Sequence, residues 1–180
     1  MSNRDERRAA FERLFATHYW AVRAYVLRRG PASAADDVVA ETFVVAWRRL
    51  DSLSDDPLPW LLGVARRILA NHHRAERRRG ALVTRLLSTG SDHEIGWEPP
   101  AAMSAEMGRA MATLSPRERE APLLIAWDGL DTGRAARAAG CTPAAFRVRL
   151  HRARRRVAAL LDDGPPRDTH RNSPIAEEAR

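Results

Sequence analysis

Two arginine clusters carry the strongest chemical signal in this 180-residue chain. Between Arg66 and Arg79 stand six arginines, at 66, 67, 74, 77, 78 and 79, against one acid, Glu76. Between Arg147 and Arg156 stand six more, at 147, 149, 152, 154, 155 and 156, with no acid among them. A guanidinium keeps its charge at any physiological pH, and its forked donors clamp phosphate or read guanine in bidentate fashion. Arginine near a helix C-terminus also gains about 0.3–1 kcal/mol from the macrodipole. Six in ten residues overshoots that need, because like charges repel. Contact with nucleic acid is the preferred reading of both clusters, more strongly for the second.

Other chemistry finds little support. His72 and His73 are adjacent, so they point to different faces of a helix and cannot act as one metal pair. No HExxH, GxSxG or phosphate-cradling Walker loop occurs, and no metal, cofactor or catalytic residue is expected. The single cysteine, Cys141, rules out a disulfide scaffold and a multi-thiolate site. It sits among apolar positions and reads as a small core residue rather than a redox switch. The chain is 44% apolar and 29% charged, with net charge +7 from 30 basic and 23 acidic residues. All the basic residues are arginine, a bias read as the coding preference of a GC-rich genome. A pI near 11.1 favours polyanions as partners, nucleic acid first and anionic membrane second. No uncharged apolar run approaches the roughly 18–20 residues that span a bilayer, so no membrane insertion is expected. The start, Met1 to Glu6, leads into charge rather than a signal peptide, which makes the cytoplasm the default.

Helices must position these groups, because the apolar periodicity is helical almost throughout. A first helix over 4–29 places Phe11, Leu14, Phe15, His18, Val22, Tyr25 and Val26 on one stripe. Gly30-Pro31 ends it through a left-handed cap. Ser33 with Asp36 reads as an acidic capping box opening a second helix to about Leu50, with Val39, Phe43, Ala46 and Leu50 inward. After a loop at 51–57, a third helix is predicted from Trp60 to Arg79. Composition then shifts, and 81–100 reads as a flexible linker, with room for a short helix over Leu82 to Leu87. A second block starts near Ala101. Ser115-Pro116-Arg117-Glu118 is a strong start signal for a helix to about Trp127. A short helix over 132–139, closed by Gly140, precedes a last one opened by Thr142-Pro143. Residues 163–180 are expected to be disordered. The fold class is all-α, with two small helical domains at 5–80 and 101–162.

The segment 131–154 has the requirements of a helix-turn-helix. Ala136 is small inside the first helix, Gly140 allows the turn, and Ala135, Ala139, Cys141, Phe146 and Leu150 fill the junction. The second helix then presents Ala144, Ala145, Arg147, Val148, Arg149 and Arg152 outward, short residues admitting the backbone to a groove and arginines contacting it.

These strings resemble the sigma-70 family of bacterial RNA polymerase specificity subunits. Leu114-Ser-Pro-Arg-Glu-Arg-Glu-Ala-Pro-Leu-Leu-Ile, Asp128-Gly129-Leu130 and Val148-Arg-Leu-His-Arg-Ala-Arg154 are similar to region 4. Ala35 to Arg48 looks like region 2.2, and Trp60 to Arg74 like regions 2.3 and 2.4. Region 2 as a three-helix bundle and region 4 alone, joined by a short linker, is the layout of the extracytoplasmic-function group. The resemblance covers about 140 of 180 residues, in order.

The resemblance implies a promoter-specific initiation factor that is not itself an enzyme. Asp36, Asp37, Glu41, Thr42, Phe43 and Trp47 would meet the β′ clamp coiled coil of core polymerase, and the β flap is a further implied partner. The acids among them form an edge suited to a protein partner, although two carboxylates in a first helical turn are also favoured by the dipole. Trp60, Arg66, Arg67, Asn71 and Arg74 would act at the minus-ten element, with the 51–56 loop. This requires a flipped base and a single strand tracked by cations and aromatics. Packing of the helix start is the preferred role for Trp60, stacking on DNA the second. Ala144, Ala145, Arg147, Arg149 and Arg152 would read the minus-thirty-five element. An anti-sigma factor is implied as a partner, and nucleoid association when active.

Three departures from the family pattern bear on promoter choice. Gly133-Arg134-Ala135-Ala136 stands where an acid followed by a large aliphatic residue is usual. Ala144-Ala145-Phe146 stands where Gly-Thr-Val is usual. Pro122 falls inside the Ser115–Trp127 helix. The alternative function is a stand-alone helix-turn-helix repressor or activator. It accounts for 101–162 but leaves the acidic helix and the Arg66–Arg79 cluster unused.

Overall fold

The computed structural model describes residues 3–87 and 99–162, with side chains for 4–76, 78 and 99–162. The 163–180 tail and the middle of the 81–100 strip lie outside the described residues. Among the described residues seven α-helices run in order: α1 (Asn3–Leu27), α2 (Ala32–Arg49), α3 (Leu58–Leu87), α4 (Ala105–Ala112), α5 (Pro116–Ala126), α6 (Thr132–Ala139) and α7 (Pro143–Asp162), with a 3-10 turn at Leu50–Ser52. No strand occurs among the described residues.

The first three helices pack on one another through Val22, Tyr25 and Val26 of α1, Val38, Val39, Phe43 and Ala46 of α2, and Leu61, Leu62, Ala65 and Ile68 of α3, all buried. These are the 3.6-period faces that the sequence marks. Three local expectations are corrected. Helix α2 opens at Ala32 on Pro31, with no side-chain cap, so Ser33 does not close a capping box. Gly30 is not left-handed; a Cβ there would lie 2.5 Å from Leu69 Cδ2, so the end of that side chain would have to move aside. Helix α3 continues without a break to Leu87, so 81–87 belongs to the helix rather than to a flexible strip.

Local signals in the second block appear where the chain placed them. Ser115 caps α5, accepting from the Glu118 amide while the Glu118 carboxylate accepts from the Ser115 amide. Pro122 lies inside α5 without ending it. Asp131 caps α6 through a 2.9 Å bond from the Arg134 amide. Gly140 closes α6 at φ 63, and the Cys141 amide reaches back 3.0 Å to the Ala136 carbonyl. With the 3.1 Å bond from the Gly140 amide to the Arg137 carbonyl, this closure needs a left-handed residue, a conformation glycine adopts without strain. Arg119 seals the end of α4 by donating to the carbonyls of Met111, Ala112 and Leu114 at 2.9, 3.1 and 2.8 Å.

The two expected helical domains are present, and they also pack against each other. Leu124, Leu130, Ala135, Ala136, Ala138, Ala139 and Phe146 share one continuous core with α1, α2 and α3. Only Met103, Met111, Leu114, Leu123 and Ala153 form a second core, private to α4, α5 and α7. Helix α6 is built for this double duty. Its alanines at 135, 136, 138 and 139 are all buried, so it packs on α7 with one face and on α3 with another.

Candidate nucleic-acid interface

Helices α6 and α7 form the helix-turn-helix. Phe146 and Leu150 are buried beneath the turn, and Cys141 packs partly buried against the same core. The opposite face of α7 is open. Ala144, Arg147 and Arg152 are exposed, Ala145 and Arg149 half-buried, and Val148 is 50% exposed. Arg154, Arg155 and Arg156 continue the exposed row; of these, Arg156 approaches Glu118 at 3.4 Å. The hydrogen bonds from the Ser115 hydroxyl and amide hold the Glu118 carboxyl below its usual range, with Arg156 and Arg152 adding to the effect. Two alanines beside three arginines give a helix face slim enough to enter a groove and charged enough to stay there.

Helix α3 presents a second cationic face. Arg67, Asn71 and Arg74 are exposed, and Arg74 donates to the Asn71 side-chain carbonyl. Trp60 is half-buried against the core at the helix start, so most of its ring serves packing. Arg66 is held elsewhere. Its Nε donates 3.3 Å to the Ala138 carbonyl and lies 3.9 Å from Glu120. As folded here, Arg66 leans onto the second block with 35% of its side chain still exposed.

The third surface lies on α1 and α2. Asp36, Asp37 and Glu41 are exposed on α2, with Val44 and Trp47 also open. Thr42 and Phe43 are not available for direct contact. Thr42 is fully buried and donates 2.7 Å to the Val38 carbonyl, while Phe43 packs 4.7 Å from Phe15. They shape the face from beneath. Sequence reasoning passed over the rest of this surface. A row of rings, Trp47–Phe11–Phe15–Tyr19–Trp20, runs along it with centroids 5.0 to 6.2 Å apart. Trp20 is 72% exposed. The i, i+4 spacing of Phe11, Phe15 and Tyr19 was the available signal. Contiguous exposed apolar patches are uncommon on monomeric proteins and are found at interaction sites.

The groups that join the blocks were also missed. Asp128 accepts from Arg28 and from Arg29, the latter at 2.6 Å. Asp56 accepts from Arg134 and Arg137, each at 2.7 Å. The Tyr25 hydroxyl donates 2.9 Å to Glu120, and burial pushes its pKa well above the ordinary value, with Glu120 adding to the rise. At Gly63 a Cβ would sit 3.4 Å from the Ala138 carbonyl, which is how α3 and α6 come so close. A glycine inside a helix costs about 0.5–1 kcal/mol relative to alanine, so its place in α3 was the one local hint. Among the described residues no group of three or more His, Cys, Asp or Glu could hold a metal, and no helix is long and apolar enough to cross a membrane.

Comparison with known proteins agrees with this geometry. The model of sigma-70 region 2 matches residues 14–79, and that of sigma-70 region 4 matches residues 104–157. The chain is 34% identical over 166 residues to the ECF RNA polymerase sigma factor SigC of Mycobacterium tuberculosis, covering 88% of this chain and 84% of the relative. It is 30% identical to the ECF RNA polymerase sigma factor BldN of Streptomyces coelicolor, with 86% of this chain matched but only 61% of that longer relative spanned. Its fold is similar to that of the sigma factor RpoE from Bartonella quintana, solved in complex with the anti-sigma factor NepR. There the TM-score is 0.61 and identity 25%, covering 86% of this chain and 98% of the other. Sigma factors are specificity subunits rather than enzymes. With both regions present in order, each on the helices that carry its surface, the chain belongs to the extracytoplasmic-function sigma factors of RNA polymerase, promoter-directing transcription initiation factors.

Proposed function

We propose a division of this work among the three surfaces. The α1–α2 face, with Asp36, Asp37, Glu41 and Trp47 beside the aromatic row, docks on the clamp coiled coil of core polymerase. The exposed part of α3, with Arg67, Asn71 and Arg74, takes the opened minus-ten strand, and Arg66 joins it once freed from Ala138. Helix α7 reads the minus-thirty-five element through Ala144, Ala145, Arg147, Arg149 and Arg152, while the β flap holds the second block. An anti-sigma factor covers the docking faces when the protein is idle, in keeping with the NepR complex of the RpoE relative. The protein acts in the cytoplasm, on the nucleoid when active, and contributes no catalysis of its own.

One observation carries this reading: a carboxylate-rimmed aromatic face stands on the same small protein as two arginine-bearing helices. An autonomous repressor has no use for the first. In vitro transcription with bacterial core polymerase on a genomic DNA library tests it, and mapped start sites return the promoter sequence. The expected result is a new set of start sites that depends on the chain. Failure to co-elute with core polymerase, or an unaltered start-site pattern, refutes it. In a gel shift the free chain is expected to show no specific site, whereas a stand-alone repressor would bind its operator unaided.

A further inference from the structure

We propose that Val148 of α7 is a sequence-reading residue of the minus-thirty-five contact, and that it reads the C5-methyl group of a pyrimidine, in unmodified DNA a thymine. The inference rests on the promoter-directing reading and deepens it by assigning one base of the upstream element through its chemistry. Val148 is the sixth residue of α7, in the N-terminal part of the helix, where a recognition helix meets base edges. It stands two residues after Phe146 and two before Leu150, both buried. At 3.6 residues per turn that sets it about 160–200° from the core side, in the middle of the outward face.

A single exposed valine is ordinary on a protein surface; the setting of this one is not. Val148 is 50% exposed. Its neighbours one turn away are Ala144 and Ala145 before it and His151 and Arg152 after it. Of these, Ala144, His151 and Arg152 are exposed and Ala145 is half-buried. The two alanines keep the helix slim where it enters a groove, so a side chain as short as valine can come up against the base edges. Arg147 and Arg149 flank it in the chain, and no acid occurs in α7 before Asp162. That charge suits a phosphate-walled groove rather than an apolar protein partner.

The chemistry of valine limits what it can read. It has no hydrogen-bond donor or acceptor, so the polar patterns that mark guanine, adenine and cytosine are closed to it. The one apolar mark a base pair shows in the major groove is the thymine C5-methyl, a group that 5-methylcytosine also carries. Against any other base Val148 would cover a polar edge and strip it of water without returning a hydrogen bond. The arginines hold the helix through phosphate or guanine, and Val148 adds discrimination at one position among them. Covering one methyl group is worth about a fourfold change in affinity.

The test uses the full chain with bacterial core polymerase on a promoter found by start-site mapping. Each thymine of its upstream element, on either strand, is replaced in turn by deoxyuridine, which removes only the C5-methyl. Transcript yield against a competing unmodified copy gives the relative affinity. The wild type is expected to lose about fourfold at one thymine. Val148→Ala removes both valine methyls at an exposed site where alanine is the better helix former, so the fold is kept, and this variant is expected to be indifferent to uracil at that same thymine. A second arm exchanges that base pair for one with cytosine in place of the thymine. Methylating the cytosine C5 should then return about fourfold to the wild type and nothing to Val148→Ala. Uracil effects that are absent at every position, or that persist unchanged in Val148→Ala, overturn the assignment and leave the promoter reading standing. A cytosine-methyl gain shared by both proteins, or shown by neither, overturns it as well. An unaltered start-site pattern sinks the promoter reading, and the assignment falls with it.

Discussion

Replacing Asp128 by Asn probes the most deeply buried charge between the two blocks. The Asp128 side chain is 3% exposed, with Arg28 at 17% and Arg29 at 10%. Asparagine keeps the shape and one acceptor but removes the negative charge that both arginines meet. Breaking a buried ion pair costs about 3–5 kcal/mol, against about 0–1 kcal/mol for an exposed one. Burial this deep places Asp128→Asn near the upper range. Arg29 keeps a partial substitute, because its guanidinium lies 3.8 Å over the Tyr25 ring and its Nη1 donates 3.4 Å to the Tyr25 carbonyl. A ceiling also applies. If the blocks can part, the arginines escape into water, and the cost cannot exceed the free energy of closure. Urea unfolding followed by circular dichroism measures the loss, and a broadened transition with a lower slope reports that the blocks no longer unfold together. An unchanged midpoint and slope would refute the reasoning, because they would mean that the two arginines gain nothing from the carboxylate.

Four further outcomes follow from the same contacts. Arg119→Ala should cost about 2 kcal/mol by freeing three carbonyls at the end of α4 from a charged donor; Arg119→Lys should restore little, since one ammonium cannot span all three, and denaturant unfolding checks both. Arg149→Ala and Arg152→Ala should each weaken use of the upstream promoter element by about 1–3 kcal/mol if the side chain meets a base, read by transcription from a promoter against its upstream-scrambled copy. Burial holds the His18 imidazole below its ordinary value of 6.5, Asp56 opposing and Arg134 adding to the shift. The unfolded chain thus takes up a proton near pH 6.5 that the folded chain resists, so His18 lowers stability as pH falls through that range and has no effect above it. In His18→Gln the urea midpoint should fall less between pH 7 and 5.5, and an equal fall in both proteins would remove His18 from the account. Trp20→Ala should leave the melting temperature nearly unchanged and weaken co-elution with core polymerase, because the ring is open to solvent.

What the chain alone determined is what local interactions decide. The Ser115–Glu118 box, the Gly140 turn and the 132–139 helix follow from bonds within five residues of one another, so their signals lie side by side in the sequence. The apolar faces of α1, α2 and α3 follow from periodicity, and the arginine rows on α3 and α7 from composition at helical spacing. Pairings between residues about 80 to 100 positions apart have no such signature. Asp56 looked like one loop acid among several, and Asp128 like part of a turn, until folding set each against two arginines of the other block. The same holds for Gly63, whose role exists only because Ala138 arrives beside it. Tertiary structure alone decided that the two blocks share a core. Sequence spacing records which face of a helix is apolar, but not which distant helix comes to cover it.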